Sequence, residues 1–143
     1  MSRGVGFPQA VHREAVGHQT CQRTFAGTFD QVAAVRDFVH AHLPPGEARE
    51  DAKLVASELA TNAIQHTQSG SPSGVFTVKL ACGSHMIRVE VTDEGSPLPI
   101  LGPTASTNGE HGRGLAIVAA VACEWGWAGH FNERTVWAEM NCE

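Results

Sequence analysis

The chain has no C-x-x-C pair: its four cysteines, Cys21, Cys82, Cys123 and Cys142, lie far apart along 143 residues. That spacing excludes a zinc knuckle and a thioredoxin-like redox motif, and reads as reduced thiols in a cytosolic protein. Long hydrophobic runs are also missing. The longest, Leu115 to Cys123, is nine residues, against the roughly 20 that a bilayer span needs. No charged-then-apolar signal segment opens the chain, so the expected location is the cytoplasm, with no membrane partner. No block of like charge is present either. Ten Lys and Arg against 15 Asp and Glu leave a net charge of −5, which argues against a direct nucleic-acid partner. Eight histidines show no metal-ligand spacing. Neither G-x-x-x-x-G-K-[ST] nor a strand running into G-x-G-x-x-G occurs, which excludes the P-loop and Rossmann readings.

What remains is the composition of one ordinary globular domain, 42% apolar and 17% charged. At this length about two thirds of the unfolded surface is buried on folding, enough for a core without disulfide or metal staples. Residues 1–19 mix Gly, Pro, His and Gln without a hydrophobic period and read as a flexible leader, leaving residues 20–143 as the domain. A weak strand pattern runs from Thr20 to Phe29. Thr28-x-x-Gln31 has the form of a capping box, after which Val32, Val35, Val39 and Leu43 recur at helical spacing until Pro44-Pro45-Gly46. The stretch from Ala48 to about Thr67 lacks Gly and Pro and aligns Ala52, Val55, Leu59 and Ala63 on one stripe, so a longer helix is expected. Phe76 to Cys82 and Ile87 to Val91 alternate as an antiparallel hairpin. The nine-residue apolar run suits a buried helix, and Cys123 to His130 with Arg134 to Met140 a closing hairpin. This order predicts an α+β two-layer sandwich, with helices on one face of a mixed, mostly antiparallel sheet.

Three features carry chemistry. Glu58, Asn62 and His66 stand at i, i+4 and i+8, on one side of the second helix. They form either a solvated face or, through a carboxylate and an amide one turn apart, a site for hydrated magnesium. Asp93 follows Ile87, Val89 and Val91 by twos, so its carboxylate points toward the helices. It is either satisfied by protein donors or left to accept from a ligand's exocyclic amine, with Gly95 allowing a flat ring to approach. Gly109-Glu110-His111-Gly112-Arg113-Gly114-Leu115 lies where a long loop meets a helix. It is either a plain flexible loop or an anion site at the helix N-terminus. Trp125 and Trp127 share a strand face and read as packing residues rather than a cofactor stack.

Glu58-Leu59-Ala60-Thr61-Asn62-Ala63-Ile64-Gln65-His66, then Asp93-Glu94-Gly95, then Gly112-Arg113-Gly114-Leu115 resemble, in order, the N, G1 and G2 boxes of the GHKL ATPase superfamily. Within it the chain is similar to single-domain actinobacterial anti-sigma-factor serine/threonine kinases. The resemblance covers about Thr20 to Met140. It implies the Bergerat ATP-binding fold, ATP or ADP with magnesium, and phosphoryl transfer to Ser or Thr of a STAS-type anti-sigma-factor antagonist, with a sigma factor as second partner. Homodimerisation through the sheet edge is implied too. Carried over by position, Asn62 is the magnesium ligand and Glu58 the catalytic carboxylate that activates the attacking hydroxyl. Asp93 accepts from the adenine amine with Gly95 beside the ring, and Ala63 and His66 line the nucleotide floor. Gly112, Arg113, Gly114 and Leu115 belong to the lid over the phosphates, and residues 95–114 are expected to order around nucleotide. The alternative is a catalytically silent ATP/ADP-binding module that holds protein partners without phosphorylating them. Ser96-Pro97 stands where the superfamily often has a second glycine, which implies a stiffer base-pocket loop. The absence of a phosphoacceptor His box or a transducer domain disfavours sensor kinases and the gyrase, Hsp90 and MutL types.

Overall fold

The computed structural model describes residues 19–95, 110–130 and 132–141. Their order is β1 (Gln19–Ala26), α1 (Gln31–His42), α2 (Glu47–His66), a 3-10 turn (Gln68–Gly70), β2 (Val75–Cys82), β3 (Met86–Asp93), α3 (Glu110–Val121), β4 (Glu124–His130) and β5 (Glu133–Asn141). The strands form one sheet in the order β1-β2-β3-β5-β4, and every described pair is antiparallel. The expected α+β two-layer sandwich is therefore found, without the parallel pairing that a mixed sheet allowed. No described helix is long and apolar enough to cross a membrane. The flexible leader expected over residues 1–19 lies, apart from Gln19, outside the described residues.

Alternation decides which strand face is covered. Phe25, Phe76, Val78, Val89, Val91 and Val136 share one core with Val55 and Leu59 of α2 and Val118 of α3. Helix α2 lies across β3 and touches β2 and β5; α1 packs on α2 and β1, and α3 on α2 and β4. Trp125 is part of this core and Trp127 packs against it, as expected. The opposite face of β3 and β5 buries charge. Arg88 stands directly across from Glu139, donates to it and, at 2.8 Å, to Glu90, and lies 4.4 Å from the centre of the Trp137 ring. On the same face Thr24 and Thr77, and Thr92 and Thr135, pair their hydroxyls at 2.8 Å.

Three boundaries differ from the sequence reading, the first being that β1 ends at Ala26 and not at Phe29. Thr28-x-x-Gln31 does not form a capping box. Asp30 is the N-cap, already helical at φ −67° and ψ −15°, and accepts no side-chain cap bond. The Thr28 hydroxyl donates to the Asp30 carboxylate, and the Thr28 carbonyl accepts from Gln31 N. The third helix starts at Glu110 rather than behind Gly114, so Gly112, Arg113 and Gly114 lie in its first turns instead of a preceding loop.

Gly27 closes the end of β1 against the 3-10 turn. Its N–H donates to Gly74 O at 2.9 Å, and a Cβ there would sit 1.7 Å from the Ser69 carbonyl oxygen. The obstacle is backbone, so Gly27→Ala must displace the turn. We expect a loss of about 2–3 kcal/mol, the upper range of overpacking, measured as a lower urea midpoint at unchanged slope.

Candidate functional site

Helix α2 forms because Glu47 to His66 contains no breaker and repeats apolar residues one turn apart. Its N-cap is Gly46, with acidic Glu47 and Glu50 in the first turn, where they suit the helix dipole. Ala52, Val55, Ala56, Leu59, Ala60 and Ala63 are buried. Glu58, Asn62 and His66 are half-buried and flank that stripe. They therefore sit at the border between core and solvent rather than on an open face. Ala63, only 1% exposed, and Leu115, at 2%, belong to the core, so any nucleotide they meet rests on core side chains. Burial raises the Glu58 carboxyl above its ordinary value.

Asp93 ends β3 on the core face and is 3% exposed. Its Oδ1 accepts from Gly95 N at 2.7 Å and lies 3.6 Å from Arg134 Nε, Arg134 being its register partner on β5. Gly95 turns at φ +79°, a conformation that favours glycine, and that turn brings its N–H back to the carboxylate. Burial pushes the Asp93 carboxyl up; the Gly95 N–H and the Arg134 charge pull it down, and Glu133 adds to the rise. A raised acid stabilises the fold at low pH and loses that contribution as pH rises through its folded value. Ionised Asp93 is thus held at a cost. Both of these contacts fall on Oδ1.

The end of α2 is tied to this turn. Gln68 N donates to Gly95 O at 2.8 Å, and Glu94 N donates to the hydroxyl of fully buried Ser69 at 3.0 Å. Thr67 continues the chain of contacts: its hydroxyl donates to Ala63 O at 2.7 Å and accepts from Ser69 N at 3.0 Å. The structure thereby ties the C-terminal end of α2, just past His66, to the Asp93-Gly95 turn. For Gly112, Arg113 and Gly114 it places the backbone in α3, which packs on α2. Residues 96–109 of the expected lid lie outside the described residues.

Sequence reading missed Arg134 and the Thr67-Gln68-Ser69 tie. Counting by twos back from Met140, Ala138 and Val136 reaches Arg134 on the inner face. Its partner stayed hidden because β3 and β5 are not consecutive. Among the described residues no cluster of three or more His, Cys, Asp or Glu could hold a metal.

An uncharacterized protein of Streptomyces coelicolor, SCO4941, is 38% identical over 85 residues, covering 58% of this chain and 78% of that protein. Residues 25–137, from the buried Phe25 to Trp137, match the histidine kinase-like ATPase domain. With that match over most of its length, the chain belongs to the histidine kinase-like ATPase family, the GHKL type, whose domains bind ATP or ADP.

Proposed function

We propose that the chain is an ATP-dependent serine/threonine protein kinase of the anti-sigma-factor type, acting on transcription by partner switching. Its phosphoacceptor is a STAS-type antagonist and its second partner a sigma factor. The observation that carries this reading is a half-buried carboxylate, Glu58, one helical turn from Asn62, on the helix tied to the base-side turn of Asp93. A chain that only held nucleotide would need the amide and the aspartate but not that carboxylate.

The residues divide the work by chemistry. Asp93, when ionised, accepts from the adenine amine, and Gly95 lets the ring approach. Asn62 supplies the amide oxygen that would hold magnesium, and the ion would neutralise phosphate charge. The substrate hydroxyl oxygen attacks the γ-phosphorus. That O–P bond forms as the bond to the β,γ-bridging oxygen breaks, ADP leaves, and the hydroxyl proton passes to Glu58. Burial makes ionised Glu58 a better base than a solvated glutamate. Most of the catalysis is positioning and charge neutralisation.

The test is incubation with γ-labelled ATP and a STAS-domain protein carrying one acceptor serine. Label on that serine, lost when it is changed to Ala, is the expected result. Nucleotide-dependent partner binding without label contradicts the kinase reading.

A further inference from the structure

The base-recognition reading assigns Asp93 a task and says nothing of Arg134. We propose that Arg134 is the specificity-determining residue of the base pocket: it keeps Asp93 an accept-only carboxylate, so that a purine bearing an exocyclic amine is selected over a 6-oxo purine. This rests on the assignment of Asp93 to the base.

Three observations lead there. Arg134 and Asp93 are direct cross-strand partners on β5 and β3, both on the core face. They are 4% and 3% exposed, so water does little to screen their charges. Arg134 Nε stands 3.6 Å from Asp93 Oδ1, close enough for an ion pair, and both the charge and the hydrogen bonding of the guanidinium favour the ionised carboxylate. The other charge acting on Asp93, Glu133, works in the opposite direction. Glu133 precedes Arg134 on β5 and favours protonation of Asp93; Glu94 follows Asp93 on its own chain. Helix α2, packed over β3, carries Glu58 and His66 on the face described above. Among the described residues Arg134 is the cation paired with Asp93.

The chemical consequence follows from donor and acceptor count. An ionised carboxylate only accepts: it welcomes the 6-amino group of adenine and repels the 6-oxo group of hypoxanthine. A protonated carboxyl has one O–H to donate, and it meets that oxo group as well as it meets an amine. Remove the Arg134 charge from this buried position and protonation of Asp93 competes with adenine binding nearer to neutral pH.

The experiment compares ATP and ITP binding to the whole chain by calorimetry, from pH 5.5 to 9, for the parent, Arg134→Met, Arg134→Lys and Asp93→Asn. The parent is expected to prefer ATP at least tenfold, with ATP affinity falling as pH drops. In Arg134→Met that fall should move up by one pH unit or more and the preference for ATP should shrink several-fold. Arg134→Lys should restore both. A merely structural Arg134 would lower the unfolding midpoint while leaving the pH profile and the ATP-to-ITP ratio of the folded fraction unchanged, and that result overturns the proposal. Should Arg134→Met fail to fold, a parent profile flat in pH, or a lysine variant with the parental profile displaced as far as a neutral residue would displace it, overturns it equally. Failure of the underlying reading looks different: Asp93→Asn would then bind ATP and ITP as the parent does.

Discussion

Glu58→Gln should abolish phosphoryl transfer while leaving nucleotide binding within about threefold of the parent. The amide keeps the shape and half-buried position of the carboxylate but cannot take the proton from the attacking hydroxyl. Loss of a positioned base costs roughly 10²–10⁴ in rate, so kcat should fall by that factor with KM for ATP little changed. That split identifies a group that acts in the transition state and contributes little to ground-state binding. Because burial raises the Glu58 carboxyl, the parent's transfer rate should fall as pH drops through a value above the ordinary glutamate range. An equal rate in Glu58→Gln, or a KM effect alone, would remove Glu58 from the chemistry.

Asp93→Asn is expected to weaken ATP and ADP alike. A hydrogen bond to a charged group is worth about 1.5–3 kcal/mol, which is a tenfold to hundredfold loss in affinity. Since the lost contact is to the base, both nucleotides should suffer equally and the magnesium dependence should be untouched. Neutralising Asp93 also leaves Arg134 buried without its carboxylate partner. Burial had raised Asp93, however, so its charge is already held at a cost, and the stability change reflects both effects. The decisive comparison is therefore binding of ATP against ADP, measured on protein shown by its unfolding curve to be folded. A loss confined to ATP would place Asp93 at the phosphates and contradict the base assignment.

The parts of this molecule written in local pattern were readable from the sequence. Helix α2 follows from an unbroken apolar stripe, and the inward direction of Asp93 follows from counting by twos along β3. The Glu58-Asn62-His66 face was visible for the same reason, its spacing being a helical one. The features that depend on distant partners were not readable. Thr28 and Gln31 have the residue types of a capping box, yet the chain is already helical at Asp30 and the hydroxyl turns to that carboxylate instead. Arg134 meets Asp93 only because β5 inserts between β3 and β4, a register that no single strand encodes. Arg88 is buried on the face that alternation leaves for polar residues, because Glu139 and Glu90 satisfy it there. Ser69 appears in the sequence as one of several small residues of a turn; its role as acceptor for Glu94 N exists only when the turn meets the end of β3.

The site therefore has two halves joined by backbone. Gln68, Ser69 and Thr67 tie the end of the Glu58-Asn62-His66 helix to the Asp93-Gly95 turn, which fixes the two halves relative to each other while each keeps its own ligand contact. That arrangement gives the most direct test of the central claim, which is that Asn62 and Asp93 serve one nucleotide. It is titration calorimetry of ATP and ADP into the whole chain, with and without magnesium, beside Asn62→Ala. The account predicts binding that magnesium strengthens in the parent, and a loss of that strengthening in Asn62→Ala with the weaker, magnesium-free binding through Asp93 retained. Absence of nucleotide binding by the folded parent, or full magnesium dependence in Asn62→Ala, would contradict it.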